Sequence, residues 1–138
     1  MSNGNPKEVI IIAEDSAPNR KILGHLLEKL GYRVLACEDG KEAWNHLSSG
    51  KVPNVVAVVS DIMMPNMDGI ELLRKLREHD TLKDTPFILV TAVSDKNYIV
   101  EAKELNVTGY ILKPLTFSRV ASKLQEIFPN RRFPKIAV

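Results

Sequence analysis

Two runs of mostly β-branched residues, Val9-Ile10-Ile11-Ile12-Ala13 and Val55-Val56-Ala57-Val58-Val59, constrain the fold of this chain more than any other feature. Neither alternates with polar residues, so neither suits a strand with one face in water. A continuous apolar run of strand length fits a strand buried on both faces, as in a parallel sheet covered by helices on either side.

The segments between the runs supply those helices. Ser16 is a candidate cap and Pro18 sits near a helix start; Ile22, Leu23, Leu26, Leu27 and Leu30 then recur at helical spacing until Gly31 stops the helix. Tyr32 to Cys37 reads as a second strand. A helix from Gly40 carries Ala43, Trp44 and Leu47, and Ser48-Ser49-Gly50 with Pro53-Asn54 punctuates the chain before the second apolar run. Ile70, Leu73 and Leu76 mark a third helix, ending near His79-Asp80. Pro86 precedes a strand over Phe87 to Val90, a fourth helix covers about Asn97 to Leu105, Tyr110 to Leu112 is a short fifth strand, and Thr116 to Phe128 is a last helix bounded by Pro129. Five strands alternating with five helices predict an α/β fold built on a parallel sheet.

Composition narrows the function classes. At 138 residues the chain suits one domain, and 44% hydrophobic with 26% charged residues leaves little room for disorder. A net charge of +2 argues against a nucleic-acid partner, and the lack of a long apolar run argues against a membrane span. One cysteine, Cys37, excludes an internal disulfide and fits a reducing, cytoplasmic setting.

Chemistry gathers where the predicted strands end. Glu14-Asp15 follows the first strand, Asp61 the third, Thr91 the fourth and Lys113 the fifth. Singly, each reads as a polar residue opening a loop. Together they line one rim, the carboxyl edge where ligands bind in open parallel sheets. Three acids side by side repel and raise one another's pKa unless a cation sits among them. Mg²⁺ suits such a site, with Asp15 and Asp61 as ligands and Glu14 either ligating or orienting a bound water. His25, His46 and His79 lie on separate helices without ligand spacing, which argues against zinc and reads them as surface residues. A carboxylate already ionised at neutral pH attacks phosphorus without a general base, giving an acyl phosphate. Mg²⁺, the Lys113 ammonium, the Thr91 hydroxyl and backbone N–H groups after Asp61 match the charge that develops on the phosphoryl oxygens.

These residues carry a family resemblance. Glu14-Asp15, Asp61-Ile62-Met63-Met64-Pro65-Asn66-Met67-Asp68-Gly69, Val90-Thr91-Ala92 and Lys113-Pro114 together resemble the receiver domains of two-component response regulators, over residues 8–128. Residues 1–7 and 129–138 then read as an N-terminal tail and a C-terminal tail or linker start. The resemblance implies a flavodoxin-like, doubly wound five-stranded parallel sheet of order 2-1-3-4-5 with five helices. It makes Asp61 the phosphoacceptor, and Glu14, Asp15, Asp61 and the Met63 backbone carbonyl the Mg²⁺ set. Thr91, Ala92 and Lys113 contact the phosphoryl group, and the Lys113–Pro114 bond is cis. Thr91 and Tyr110 form a switch that reshapes the face of the fourth helix, fifth strand and fifth helix for an output protein. The implied donor is a sensor histidine kinase or a histidine phosphotransfer protein, and the implied assembly is a monomer or weak dimer. Glu14 stands where many relatives have Asp, and Met63 places a bulky apolar side chain two residues after Asp61.

Plainer roles fall to other residues: Trp44 to helix packing, Met63, Met64 and Met67 to covering the loop, Gly69 to the loop-to-helix turn, and Arg131 and Arg132 to a solvated tail. With no output domain visible after residue 128, a single-domain regulator acting by protein contact is expected. A phosphorelay shuttle, or a receiver from a longer regulator, is the alternative. Among more distant readings, flavin binding is disfavoured because the acids of Glu14-Asp15-Ser16-Ala17-Pro18 repel phosphate. An aspartyl phosphatase is disfavoured because Ile62 and Met63 offer no acid or base beside Asp61.

Overall fold

The computed structural model describes residues 7–92, 95–131 and 133. Its elements alternate without exception: β1 (Val9–Ala13), α1 (Ala17–Lys29), β2 (Arg33–Cys37), α2 (Gly40–Ser49), β3 (Val55–Asp61), α3 (Gly69–Glu78), β4 (Phe87–Thr91), α4 (Lys96–Glu104), β5 (Gly109–Leu112) and α5 (Phe117–Ile127). All pairings are parallel, and the sheet order is β2-β1-β3-β4-β5, the doubly wound order expected.

Period-two alternation divides the sheet residues between two cores. Val9, Ile11, Ala13, Val58, Phe87 and Leu89 pack with residues of α2, α3 and α4, whereas Ile10, Ile12, Ala57, Val59, Ile88 and Val90 pack with residues of α1 and α5. Ile10, Ile11 and Ile12 are each 0% exposed, which explains why the run shows no polar alternation. Such burial stabilises by roughly 1.5–3 kcal/mol per side chain, as an upper estimate. Ser16, Asp39, Asp68 and Thr116 cap α1, α2, α3 and α5, each side-chain oxygen accepting from the backbone N–H three residues on. A cap of this kind contributes about 1 kcal/mol and fixes where the chain turns from the rim into the helix. No helix among the described residues is long and apolar enough to cross a membrane.

Several expectations need correction. Ile22, placed on the apolar stripe of the first helix, is 51% exposed. Leu23, Leu27 and Leu30, at i, i+4 and i+7, fill the sheet-facing stripe, and Ile22 is rotated off it. Tyr32 is buried but precedes β2, because Gly31 at φ 99° ends α1 and the Tyr32 N–H still bonds the Leu27 carbonyl. Gly69 does stand at the loop-to-helix turn, as the first residue of α3, and it does so without a positive φ, which among the glycines described belongs to Gly31 and Gly50. Its role is clearance: a Cβ there would lie 2.2 Å from the Asp61 carbonyl oxygen. Arg131 is no solvated tail residue. It pairs with Glu8 and lies 4.5 Å from the Tyr32 ring centroid, while Phe133 packs on the α1/α5 side of the core. Arg132 lies outside the described residues.

Candidate functional site

The sheet order reverses direction between β1 and β3, so Glu14 and Asp15 from one and Asp61 from the other flank the switch point. Thr91 closes the neighbouring β4, and Lys113 follows β5. The structure therefore brings together all five rim residues named from the sequence. Two of them, Asp61 and Thr91, are final strand residues rather than first loop residues, because β3 and β4 run further than their apolar runs.

The carboxylates of Glu14, Asp15 and Asp61 all lie within 4.8 Å of one another. Asp61 is held from two sides: its Oδ1 accepts from the Ile62 N–H at 2.7 Å and its Oδ2 from the Lys113 ammonium at 3.0 Å. Its side chain is only 12% exposed, so the ion pair works in a poorly solvated setting. Burial alone would lower the Lys113 pKa, but Asp61, Glu14 and Asp95 more than offset it and hold the ammonium above its ordinary range. Glu14 is buried, and its carboxyl is pushed up to about 7, chiefly by desolvation and then by Asp61 and Asp15, against a lowering bond from the Ser16 N–H. Arg20, which sequence reasoning overlooked, donates to the Glu14 carbonyl at 2.8 Å and steadies that turn. Three close carboxylates, one of them resisting ionisation, form an oxygen donor set that a hard divalent cation satisfies.

The loop after Asp61 is pinned at both ends. The Gly69 N–H bonds the Ile62 carbonyl at 2.7 Å, and the Gly40 N–H bonds the Met67 carbonyl at 3.1 Å. Asn66, at φ 67°, also donates its side-chain amide to Asp39 Oδ2 at 2.6 Å. Met67 is buried and Met64 packs against the core, whereas the Met63 side chain is 56% exposed.

On the other side, the Lys113 N–H bonds the Thr91 carbonyl at 2.7 Å, and the Lys113–Pro114 peptide bond is cis. Thr91 is buried, and the Ala92 N–H is engaged by Asp95 Oδ2 at 2.8 Å. The next two residues, 93 and 94, lie outside those described. Tyr110 pairs with Leu89 and Leu112 with Thr91, so Tyr110 and Thr91 project on the same side of the sheet. The Tyr110 ring is 42% exposed, with the Lys123 ammonium 5.9 Å from its centroid. Beside the rim, Glu14, Asn19, Ile22, Lys113, Pro114 and Leu115 line an open groove of about 530 Å³.

Two histidine expectations stand differently. His25 is exposed, but His46 is not an isolated surface residue: its ring lies within 4.8 Å of ligand atoms of Cys37 and Glu42. The i, i+4 spacing of Glu42 and His46 is visible in the sequence; the approach of Cys37 is not, because it depends on how β2 delivers it beneath α2.

Comparison with known proteins gives a consistent result. Residues 10–125 match the response regulator receiver domain family. The chain is 38% identical over 120 residues to the chemotaxis protein CheY of Pseudomonas aeruginosa, covering 86% of this chain and 94% of that protein. Among solved structures it resembles the signal receiver domain of a signal transduction histidine kinase from Syntrophus aciditrophicus, with 32% identity and TM-score 0.78 across 95% of this chain and 98% of that one. The receiver domain of sensor histidine kinase PA1611 from Pseudomonas aeruginosa PAO1, solved with a magnesium ion coordinated in its active-site cleft, shares the fold at 24% identity. Its TM-score is 0.77, over 90% of this chain and 99% of that one.

Proposed function

The chain belongs to the response regulator receiver family of two-component signalling, and we propose on that basis that Asp61 accepts a phosphoryl group from a histidine kinase or a phosphotransfer protein. The observation that carries this reading is the Asp61–Lys113 contact at 3.0 Å beside two further carboxylates. An Asp61 oxygen forms the P–O bond as the P–N bond of the donor phosphohistidine breaks, and the departing imidazole keeps the bonding pair. Lys113 follows the charge from the carboxylate onto the phosphoryl oxygens. Glu14, Asp15, Asp61 and the Met63 carbonyl would hold Mg²⁺, which would supply the positive charge that lets an anionic phosphoryl group approach three acids. Thr91 and Ala92 meet the phosphoryl oxygens once Ala92 gives up its bond to Asp95. Like receiver domains generally, the chain is a phosphoacceptor rather than a turnover enzyme. The groove beside Lys113, with Ile22, Pro114 and Leu115 on its wall, is the surface a donor meets on its way to Asp61.

The test is direct. Wild-type protein incubated with acetyl phosphate and Mg²⁺ gains one phosphoryl group by intact mass, and hydroxylamine removes it, as expected of an acyl phosphate. Absence of the adduct, or an adduct stable to hydroxylamine, refutes the proposal.

Metal binding here depends on pH. In the metal-free protein Glu14 has a folded pKa raised to about 7, so its protonation contributes stability below the unfolded carboxyl value, and this is lost as pH rises through about 7. Mg²⁺ competes with that proton. The gain in Tm on adding Mg²⁺ is therefore larger at about pH 8 than at about pH 6, and Glu14→Gln flattens the metal-free profile. Equal Mg²⁺ shifts at both pH values would contradict the Glu14 assignment.

Output follows from the shared side of Thr91 and Tyr110. A phosphoryl group adds a charge of about −2 and strong acceptors, which draw the Thr91 hydroxyl inward and leave room for the exposed Tyr110 ring to turn in. The face of α4, β5 and α5 changes shape, and an output protein selects the new form. Thr91→Ala accepts phosphate more slowly and loses the phosphorylation-dependent gain in partner affinity. A titration in which this variant keeps the full gain would sink the switch while leaving Asp61 as acceptor.

A further inference from the structure

We propose that Cys37, Glu42 and His46 form a second metal site, suited to a zinc-class cation and separate from the acid cluster on the rim. The Cys37 sulfur, a Glu42 carboxylate oxygen and a His46 ring nitrogen all lie within 4.8 Å of one another. They come from two packed elements: Cys37 is the last residue of β2, and Glu42 and His46 stand one turn apart on α2.

The donor set decides the ion. Thiolate, imidazole and carboxylate together are zinc-type ligands, whereas the all-oxygen set of Glu14, Asp15 and Asp61 suits a hard cation. The two sites thus sort cations by softness. Tetrahedral bonds of about 2.0–2.3 Å require donors roughly 3.3–3.7 Å apart, so closure needs only about 1 Å of adjustment. Glu42 and His46 are both partly exposed and supply that movement, along with a path from solvent. The Glu38 N–H already holds Glu42 Oε1 at 2.8 Å, which orients the carboxylate and leaves its second oxygen for the metal.

Cys37 is fully buried, and its thiol is pushed up to about 12 by desolvation and by the nearby carboxylates of Glu42 and Asp39, with Arg20 opposing. It is therefore a neutral thiol until a cation arrives. Binding forms the metal–sulfur bond and releases the thiol proton to solvent, leaving a fourth position for water. The Cys37 carbonyl accepts the Glu14 N–H at 3.0 Å, so an ion held here braces the strand end next to the phosphoacceptor rim.

Co²⁺ is the probe, added to full-length protein in excess Mg²⁺ so that the acid cluster is occupied. We expect a sulfur-to-cobalt charge-transfer band that saturates at one equivalent and bleaches when Zn²⁺ is added. Asp61→Asn keeps the band, which separates this site from the rim. Cys37→Ser abolishes it. Because that residue is buried and its variant can fail to fold, the partly exposed ligands decide: His46→Gln and Glu42→Gln each weaken Co²⁺ binding by at least about tenfold. Absence of a band in wild type, its loss in Asp61→Asn, or unchanged affinity in both His46→Gln and Glu42→Gln overturns the site.

Discussion

Asp61→Asn is expected to slow phosphoryl uptake from acetyl phosphate by at least on the order of a thousandfold while leaving the fold intact. An amide oxygen is a poor nucleophile toward phosphorus. The substitution also removes one of three carboxylates clustered within 4.8 Å and the charged partner of Lys113 at 3.0 Å. Circular dichroism checks the fold, which survives because Asn is isosteric with Asp and its amide oxygen still accepts from the Ile62 N–H. The amide NH2 replaces the oxygen that accepted from Lys113. Intact-mass time courses with Mg²⁺ measure the rate. An adduct forming on the variant at the wild-type rate would move the phosphoacceptor role elsewhere, with exposed Asp15 the first place to look.

Gly69→Ala is expected to be strongly destabilising for so small a substitution. Alanine normally stabilises a helix relative to glycine, and Gly69 opens α3 without a positive φ, so propensity alone predicts a gain. Space predicts the opposite. The new Cβ would lie 2.2 Å from the Asp61 carbonyl oxygen and 3.1 Å from Ile62 Cα, both backbone atoms that no side-chain rotation can move away. Either the end of β3 or the start of α3 must shift, at a cost of roughly 2–4 kcal/mol. The same shift displaces Asp61, so phosphorylation slows as well. Gly50→Ala is the matched control: φ is 69° there and nothing lies within 4 Å, so only the left-handed penalty of about 1–2 kcal/mol applies. Urea denaturation of both variants measures the difference. Gly69→Ala as stable as Gly50→Ala would show that the loop absorbs the methyl group.

The rim is legible in the order of residues because polar side chains follow apolar runs at four separate places, and parallel topology sends those places to one edge. Glu14, Asp15, Asp61, Thr91 and Lys113 all carry that signal. What escapes a linear reading is whatever depends on the distance between side chains that are remote in sequence. Arg131 stands among polar residues beyond the last helix, as a solvated tail would, yet it covers Tyr32 and pairs with Glu8, more than a hundred residues away. Ile22 matches the apolar spacing of α1, but a helix buries only the stripe its sheet can cover, and that stripe is filled by Leu23, Leu27 and Leu30.

The layer architecture is written into the order of residues, since doubly buried strands demand helices on both faces; so is the identity of the rim acids and the lysine. How those groups act on one another arises only on folding. Glu14 resists ionisation because the packed strand ends strip it of water beside Asp61, and Lys113 is held charged because β5 delivers it to 3.0 Å from that carboxylate. The meeting of Cys37 with Glu42 and His46 is of the same kind. Hydrophobic periodicity is a local property that a chain carries in its order, whereas desolvation and charge–charge coupling depend on distances that exist only once the sheet is closed under its helices.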